Sequence, residues 1–386
     1  MNALSEHIVV DDAELEMVRA TARRFFTEEI APHYAAWEKQ GHGDRAIWRK
    51  AGALGLLCPM LKEENGGVGG DIRHSQVIIE EMARSHCELP GLYLHSDIVV
   101  PYIERLGTLQ QKRRWLPRCM SGDIVTCIGI SEPDAGSDMR GLRTRAVRDG
   151  DEWVLNGSKT FITNGWLADL ALVVANTGAS ANTGSKSIFL VETDRPGFRR
   201  GRLLEKVGQK AQDTTELFLD DVRVPVEALL GEEGKGMAYL MQELPIERLI
   251  IAISALALTE AVFAETLKYV RERRAFGQLV ADFQVTRFTL AELKTDIEVG
   301  RAFVDDCVGK ILLGTLDTSR ASMAKLWLTE MQGRVVDRCV QLFGGYGYMW
   351  DYPVARAFAN ARGQRIYGGS SDIMKEIIAR DIAKSP

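Results

Sequence analysis

The spacing of hydrophobic residues divides the chain into three parts. From residue 12 to about 122, apolar residues recur every three or four positions, as at Leu15, Val18 and Ala22, which predicts helices. Residues 126–222 instead alternate in short runs separated by turn sequences, which predicts short strands in a sandwich or a barrel. From residue 236 onward, helical spacing returns in long segments and predicts an up-and-down bundle. We therefore expect three domains, at residues 1–124, 125–235 and 236–386.

The most apolar segment of the sequence follows Glu247. Residues 249–258 form the longest apolar run, and Ile250 and Ile253 have the spacing of a buried helix. Pro245 predicts either the start of this helix or a kink in it. A carboxylate beside so much apolar surface is costly to desolvate unless it is paired or used. Glu247 is therefore either a first-turn residue that satisfies helix N–H groups or a functional base.

Composition and charge narrow the possible functions. The 386 residues are 46% hydrophobic and 26% charged, as in ordinary globular proteins. The formal net charge of −5 argues against a nucleic-acid partner. All six histidines lie at or before His95, so we predict no metal site and no histidine base in the last three quarters of the chain.

Three features predict a cytoplasmic protein that does not cross a membrane. The run at residues 249–258 is too short to span a bilayer. The N-terminal sequence has the pattern of neither a signal peptide nor a transit peptide. The six cysteines form no closely spaced pair, which is typical of a reducing compartment.

Several polar, glycine-rich segments could contact a ligand. Residues 131–138 form a turn after a strand and offer two hydroxyl groups. Residues 161–165 place an aromatic ring and a hydroxyl group on one side of a strand. Residues 341–348 form a glycine-rich helix end, and Ser370 or Ser371 could cap the helix that follows them. Each of these segments, taken alone, could also serve only to form a turn.

Taken together and in this order, these segments resemble the acyl-CoA dehydrogenase family, as do residues 271–277 with Gln284. The resemblance covers nearly the whole chain. It implies an α+β multidomain fold with an N-terminal helical domain, a middle β-barrel-like domain and a C-terminal four-helix bundle. It also implies a homotetramer with one FAD per subunit, an acyl-CoA substrate, and an electron-transfer flavoprotein as the electron acceptor.

The same resemblance implies which residues contact the cofactor and the substrate. The FAD contacts within one subunit would be Ile128, Ile130, Ser131, Gly136, Ser137, Phe161, Ile162, Thr163, Ser370, Ser371 and Asp372. The contacts to the FAD of a neighbouring subunit would be Arg273, Phe276, Gln284, Gln341, Leu342, Phe343, Gly344 and Gly345. The substrate contacts would be Ser137, Leu244, Arg248, Tyr367, Gly368 and Gly369.

The sequence departs from the common family pattern at Gly368. Most members of the family carry the catalytic glutamate at this position, and a glycine supplies no base. A minority branch, which includes the long-chain and isovaleryl-CoA dehydrogenases, carries it on the first bundle helix, where this chain has Glu247. The resemblance, closest to the long-chain branch, thus implies that Glu247 removes the α proton and that FAD N5 accepts the β hydride, giving the trans-2-enoyl-CoA. It further implies that the Gly368 N–H polarises the thioester oxygen.

Two other functions are compatible with the same sequence. One is a flavin oxidase or monooxygenase on the same fold. The other is a catalytically inactive acyl-CoA-binding paralogue, which the glycine at position 368 suggests. The sequence predicts neither the length nor the branching of the acyl chain.

Overall fold

The first part of the chain is helical. The structure, a computed structural model, describes residues 12–178 and 185–384. The helices are α1 (Asp12–Arg24), α2 (Ala31–Gln40), α3 (Ala46–Ala53), α4 (Ile72–Arg84), α5 (Gly91–Tyr93), α6 (Val100–Leu106) and α7 (Leu109–Met120). Short π-helical segments, Phe25–Ile30 and Leu94–Val99, connect α1 to α2 and α5 to α6. Pro117 lies inside α7, where Trp115, Leu116 and Cys119 are buried, so packing of this face outweighs the lost backbone hydrogen bond.

The middle part forms an eight-stranded sheet. Its strands are β1 (Thr126–Gly129), β2 (Arg145–Asp149), β3 (Glu152–Thr163), β4 (Leu170–Asn176), β5 (Lys186–Glu192), β6 (Phe198–Leu203), β7 (Thr214–Pro225) and β8 (Leu229–Leu230). The strand order is β6-β7-β3-β2-β4-β5-β8, and β1 pairs in parallel with β4. Residues 176–186 are rich in glycine, serine, asparagine and threonine, which predicts a loop, and this segment lies partly outside the described residues.

The sheet is buried on both of its faces at β4. Leu170, Leu172 and Val174 belong to the core that the sheet shares with the helices. Ala171 and Val173, which point to the opposite face, belong to a second core formed by residues of the middle domain alone. The middle domain therefore encloses its own core, as predicted for a barrel-like domain, and presses its other face against the helical domains.

The last part is a helical bundle. Its helices are α8 (Gly236–Glu272), α9 (Gln284–Leu312), α10 (Thr318–Phe343), α11 (Pro353–Gln364) and α12 (Ser371–Ile382). A small hairpin, β9 (Arg274–Ala275) and β10 (Gln278–Leu279), lies between α8 and α9. Helix α10 packs against α8, α9, α11 and α12, so it is the central helix of the bundle.

Helix α8 corrects one sequence-based interpretation. It begins at Gly236, so Pro245 lies inside the helix and Glu247 is about three turns from its start. The interpretation of Glu247 as a first-turn residue is therefore wrong. By length and composition α8 could cross a membrane, but 78% of its most apolar window is buried inside the protein. It is the longest helix in the described chain and its middle is part of the core.

The cysteines are free and buried in all three parts of the molecule. Cys58, Cys87 and Cys119 lie among the first helices, Cys127 lies in β1, and Cys307 and Cys339 lie in α9 and α10. Burial raises the pKa of each of these six thiols, which keeps them in the protonated form.

Candidate active site

Glu247 contacts a tyrosine from the N-terminal helices. The hydroxyl group of Tyr102, on α6, donates a hydrogen bond of 2.7 Å to Oε1 of Glu247. Burial raises the pKa of Glu247 to about 7, the hydrogen bond from Tyr102 lowers it, and the negative charge of Glu243 raises it. A carboxyl group with a pKa near neutrality can both accept and release a proton under ordinary conditions, which suits a general base.

A second carboxylate lies one turn before Glu247 on the same helix. Glu243 is 5% exposed, and its Oε1 is 3.1 Å from Nη1 of Arg105. Burial raises the pKa of Glu243, and the charge of Arg105 lowers it. Sequence reasoning missed Tyr102, Arg105 and Glu243. The four-residue spacing of the two glutamates was a usable signal, whereas Tyr102 lies 145 positions away and gave none.

Arg248 points into the bundle and away from solvent. It is 2% exposed, and its Nη1 donates a hydrogen bond of 3.1 Å to Oγ of Ser322 on α10. Burial lowers the pKa of Arg248, and the charge of Arg248 slightly lowers the pKa of Glu247. Leu244, also predicted to contact substrate, is half-buried on the same helix.

The loop around Gly368 packs against α8 one turn beyond Glu247. Gly368 and Gly369 have φ values of 65° and 95°, in the left-handed region that favours glycine. A Cβ atom at position 368 would lie 2.3 Å from Cδ1 of Ile251. The buried Lys325 donates a hydrogen bond of 2.7 Å to the carbonyl oxygen of Gly369. Position 368 thus lies against Ile251, which is one turn beyond Glu247 on α8.

The residues that flank the two glycines are each held by another element. The hydroxyl group of Tyr367 accepts a hydrogen bond of 3.2 Å from Gln209, which precedes β7. Of the two serines that were possible caps, Ser370 is the one that caps α12. Ser371 instead donates a 2.6 Å hydrogen bond to Glu330 on α10. Asp372 is exposed at the start of α12.

Phe161 projects from the end of β3. Its side chain is 71% exposed, and its φ of 59° coincides with a register shift between Lys159 and Ile162. Ile162 is buried and Thr163 is half-buried, so the predicted alternation of sides survives this bulge. Together with Trp166, which is 38% exposed, Phe161 gives this end of the sheet an open aromatic surface.

The end of β1 lies beside this aromatic surface. Three predicted cofactor contacts in this region are half-buried: Ile128, Ile130 and Ser131. The carbonyl oxygen of Ser131 accepts a hydrogen bond of 2.9 Å from the N–H of Thr160, directly before Phe161. Gly136 and Ser137 are exposed in the turn that follows. The two sequence-distant segments at residues 131 and 161 are therefore neighbours in the fold.

A second group of predicted residues lies elsewhere, on the outside of the bundle. A hollow of about 430 Å3 is lined by Arg273, Gln341, Leu342, Phe343, Gly344 and Gly345, together with Tyr269, Val280, Tyr346 and Met349. A Cβ atom at Gly344 or Gly345 would have no neighbour within 4 Å, so the backbone there is open. Phe276, at the turn of the β9–β10 hairpin, is 96% exposed, and Gln284 is exposed at the start of α9. The predicted cofactor contacts thus lie in three parts of the fold: the end of the sheet, the start of α12, and this side of the bundle.

The molecule thus has three parts, which are a helical domain, a sheet with an exposed aromatic edge, and a helical bundle that carries a half-buried carboxylate at Glu247. Three family descriptions match this division: the N-terminal domain of acyl-CoA dehydrogenase at residues 12–123, its middle domain at 127–222, and its C-terminal domain at 234–383. The chain belongs to the acyl-CoA dehydrogenase family.

Individual proteins of this family are similar over nearly the whole chain. The long-chain specific acyl-CoA dehydrogenase of pig mitochondria is 52% identical over 372 residues, which are 96% of this chain and 86% of the pig protein. The crystal structure of an acyl-CoA dehydrogenase from Geobacillus kaustophilus superposes with a TM-score of 0.94 at 47% identity, covering 97% of this chain and 99% of that one.

The cofactor of the enzyme is FAD. A similar solved structure, a glutaryl-CoA dehydrogenase from Mycobacterium smegmatis in complex with FADH2, is 28% identical, with a TM-score of 0.90 and coverage of 97% of this chain and 96% of that one. The residues of this chain fit such a cofactor. The open aromatic surface at Phe161 suits a flat ring system, and Arg273 with the bare Gly344–Gly345 backbone suits anionic and polar groups. The chain is accordingly an FAD-dependent enzyme that converts an acyl-CoA to the trans-2-enoyl-CoA.

Proposed function

We propose that Glu247 is the base that removes the α proton of the acyl-CoA thioester. The observation that carries this proposal is the position of Glu247. The residue is half-buried, burial raises its pKa to about 7, and it lies one turn from Ile251, the side chain that contacts Gly368. FAD supplies the acceptor for the β hydride when it is bound. Glu247 holds the abstracted proton on its carboxyl group until the product leaves.

The Gly368 loop and two buried cations support this step. An α C–H is a very weak acid, so the negative charge that develops on the thioester oxygen has to be stabilised. We assign this role to the N–H of Gly368. The hydrogen bond from Lys325 to Gly369 fixes the loop, and both Lys325 and Arg248 are buried. Positive charge in this position favours an enolate over the neutral thioester.

The acyl chain is the next part of the proposal. The pig relative is named long-chain specific, and its 52% identity supports the same class of substrate here. We therefore expect straight long-chain acyl-CoAs to bleach the flavin of the purified holoenzyme fastest under anaerobic conditions. Stopped-flow mixing with a series of saturated acyl-CoAs, from short to long chains, tests this. If only short or branched chains bleach the flavin, the long-chain assignment is wrong, and if none does, the activity itself is in question.

We propose that an electron-transfer flavoprotein reoxidises the reduced enzyme. The support is the family to which the chain belongs. The alternative, an oxidase or monooxygenase on the same fold, requires that air reoxidise the flavin rapidly, whereas a dehydrogenase is expected to be reoxidised slowly by air. Nothing in the site geometry favours the inactive paralogue, since a half-buried carboxylate with a raised pKa is available at Glu247.

We propose that the protein is a homotetramer in which the bundle hollow meets the FAD of a neighbouring copy. The support is the exposed apolar surface near this hollow, where Phe276 is 96%, Tyr348 86% and Val285 73% exposed. Monomeric proteins rarely leave such side chains grouped in water. The domain limits 1–124, 125–235 and 236–386 are part of the same proposal.

Phe276→Asp should weaken both the assembly and the retention of FAD. A charge in the centre of an apolar contact between copies costs several kcal/mol, roughly 2–4. We expect smaller particles by analytical ultracentrifugation and a lower ratio of flavin to protein absorbance. Leu109→Asp is a matched control, because Leu109 is 71% exposed at the start of α7 and should leave both unchanged. A tetramer with full FAD in the Phe276→Asp protein would contradict the proposal.

The cytoplasmic location also stays a proposal. Six free, buried cysteines support a reducing compartment. The pig relative is named mitochondrial, so its name does not support the cytoplasmic location proposed for this protein.

A further inference from the structure

We propose that Tyr102, together with the Arg105–Glu243 ion pair, is a positioning unit for Glu247 that leaves Oε2 as the oxygen that accepts the substrate proton. This inference rests on the proposed role of Glu247. It assigns a task to three residues that lie behind the base, two of them supplied by α6 and one by α8.

Tyr102 can act only as a hydrogen-bond donor to Glu247. Its side chain is completely buried, and burial holds its pKa well above the usual value, so the hydroxyl group stays protonated. The 2.7 Å contact joins this hydroxyl to Oε1 of Glu247. A carboxylate has two oxygens, and one of them is thus occupied and fixed in direction. The remaining oxygen, Oε2, is the one free to take a proton.

The ion pair controls the negative charge closest to Glu247. Glu243 lies one helical turn away and is buried, so its charge would repel an ionised Glu247 strongly if it were unpaired. Arg105 compensates that charge at 3.1 Å while remaining 47% exposed. The groups that act on Glu247 are therefore Tyr102, Glu243 and Arg248, with Arg105 acting through Glu243.

The two parts of the unit act on Glu247 in opposite directions. The hydrogen bond from Tyr102 stabilises the ionised carboxylate, whereas the charge of Glu243 destabilises it. A tyrosine or a glutamate that served only to fill space would not affect the protonation of Glu247 in this way. The opposite signs give an experiment that separates positioning from packing.

The test compares Tyr102→Phe with Glu243→Gln in the FAD-loaded enzyme. The rate of anaerobic flavin reduction by a saturating acyl-CoA is measured against pH. This rate should rise as Glu247 ionises. Tyr102→Phe removes a donor to the ionised form, so the rise should move to higher pH by roughly one unit. Glu243→Gln removes a negative charge, so the rise should move to lower pH.

A second readout follows the carboxyl group directly. The infrared band of the protonated Glu247 carboxyl, obtained as the difference between the wild-type enzyme and Glu247→Gln, should shift its pH midpoint in the same two directions. This measurement needs no turnover. It also keeps the proposal testable if one variant binds acyl-CoA poorly.

Two control variants carry the same substitutions, Tyr to Phe and Glu to Gln, at positions away from Glu247. Tyr34→Phe removes a buried hydroxyl group that donates to the backbone of Glu88, in the same helical domain. Glu260→Gln breaks an ion pair with Arg301 farther along α8. Both controls should leave the pH profile unchanged.

The outcomes separate this inference from the proposed role of Glu247. Shifts in opposite directions support the positioning unit. Unchanged profiles, or shifts in the same direction, overturn it even if Glu247→Gln is inactive. If Glu247→Gln itself remains active, the proposed base is wrong and the positioning unit falls with it. If Tyr102→Phe does not fold, Glu243→Gln alone decides, since an unchanged midpoint would overturn the inference.

Discussion

Glu247→Gln is expected to lower the rate of anaerobic flavin reduction by an acyl-CoA on the order of 10⁴-fold. Glutamine has nearly the same size as glutamate and can still accept the hydrogen bond from Tyr102, but it cannot take the α proton. FAD content and acyl-CoA affinity should stay close to those of the wild type. Stopped-flow absorbance of the flavin measures the rate, and equilibrium titration measures the binding.

A matched control for this variant is Glu265→Gln, which removes a half-buried carboxylate from the same helix, away from Tyr102 and Gly368. It should reduce its flavin at the wild-type rate. Near-normal reduction by Glu247→Gln would show that another group removes the proton.

The second large effect concerns moving the base to position 368. The variant Glu247→Gln/Gly368→Glu should remain inactive. The Cβ atom of the new glutamate at position 368 would lie 2.3 Å from Cδ1 of Ile251, and the backbone at this position would keep a φ of 65°. The left-handed backbone alone costs about 1–3 kcal/mol for a residue with a side chain. Adding Ile251→Ala opens the space next to position 368. We expect this triple variant to regain on the order of 10²-fold in reduction rate over Glu247→Gln.

The control for this rescue is Glu247→Gln/Ile251→Ala, which has the space but no carboxylate at position 368 and should stay inactive. Thermal unfolding of all variants shows whether the fold survives each change. A well-folded triple variant that binds FAD and acyl-CoA but reduces no faster than Glu247→Gln would mean that position 368 cannot reach the carbon that Glu247 serves.

The spacing of hydrophobic residues was enough to predict the order of helical domain, sheet domain and helical bundle. It did not predict which residues surround Glu247. The periodicity at residues 249–258 correctly predicted a buried helix. The contact from Tyr102 joins segments 145 positions apart, and no local pattern encodes it. Proline was a misleading signal at position 245. There the carbonyl that loses its partner belongs to Met241, a residue that is 44% exposed, where solvent can take the place of the missing N–H.

The sheet shows the same limit. Alternation predicted strands, but β4 is buried on both faces, so its sequence does not reveal which face meets the helices. The exposed position of Phe161 depends on a bulge in the pairing of β3 with β7, which is a property of two strands together. The resemblance to the family implied that residues 131 and 161 contact one cofactor, and the hydrogen bond from Thr160 to Ser131 shows that the two segments are neighbours.

The six buried thiols make the protein its own reporter of local opening. Each domain carries at least one of them: three among the first helices, Cys127 in the sheet, and two in the bundle. A thiol that is buried and protonated does not react with an alkylating reagent until its surroundings open. Mass spectrometry of timed alkylation would therefore rank the domains by how often each one opens, without any engineered label.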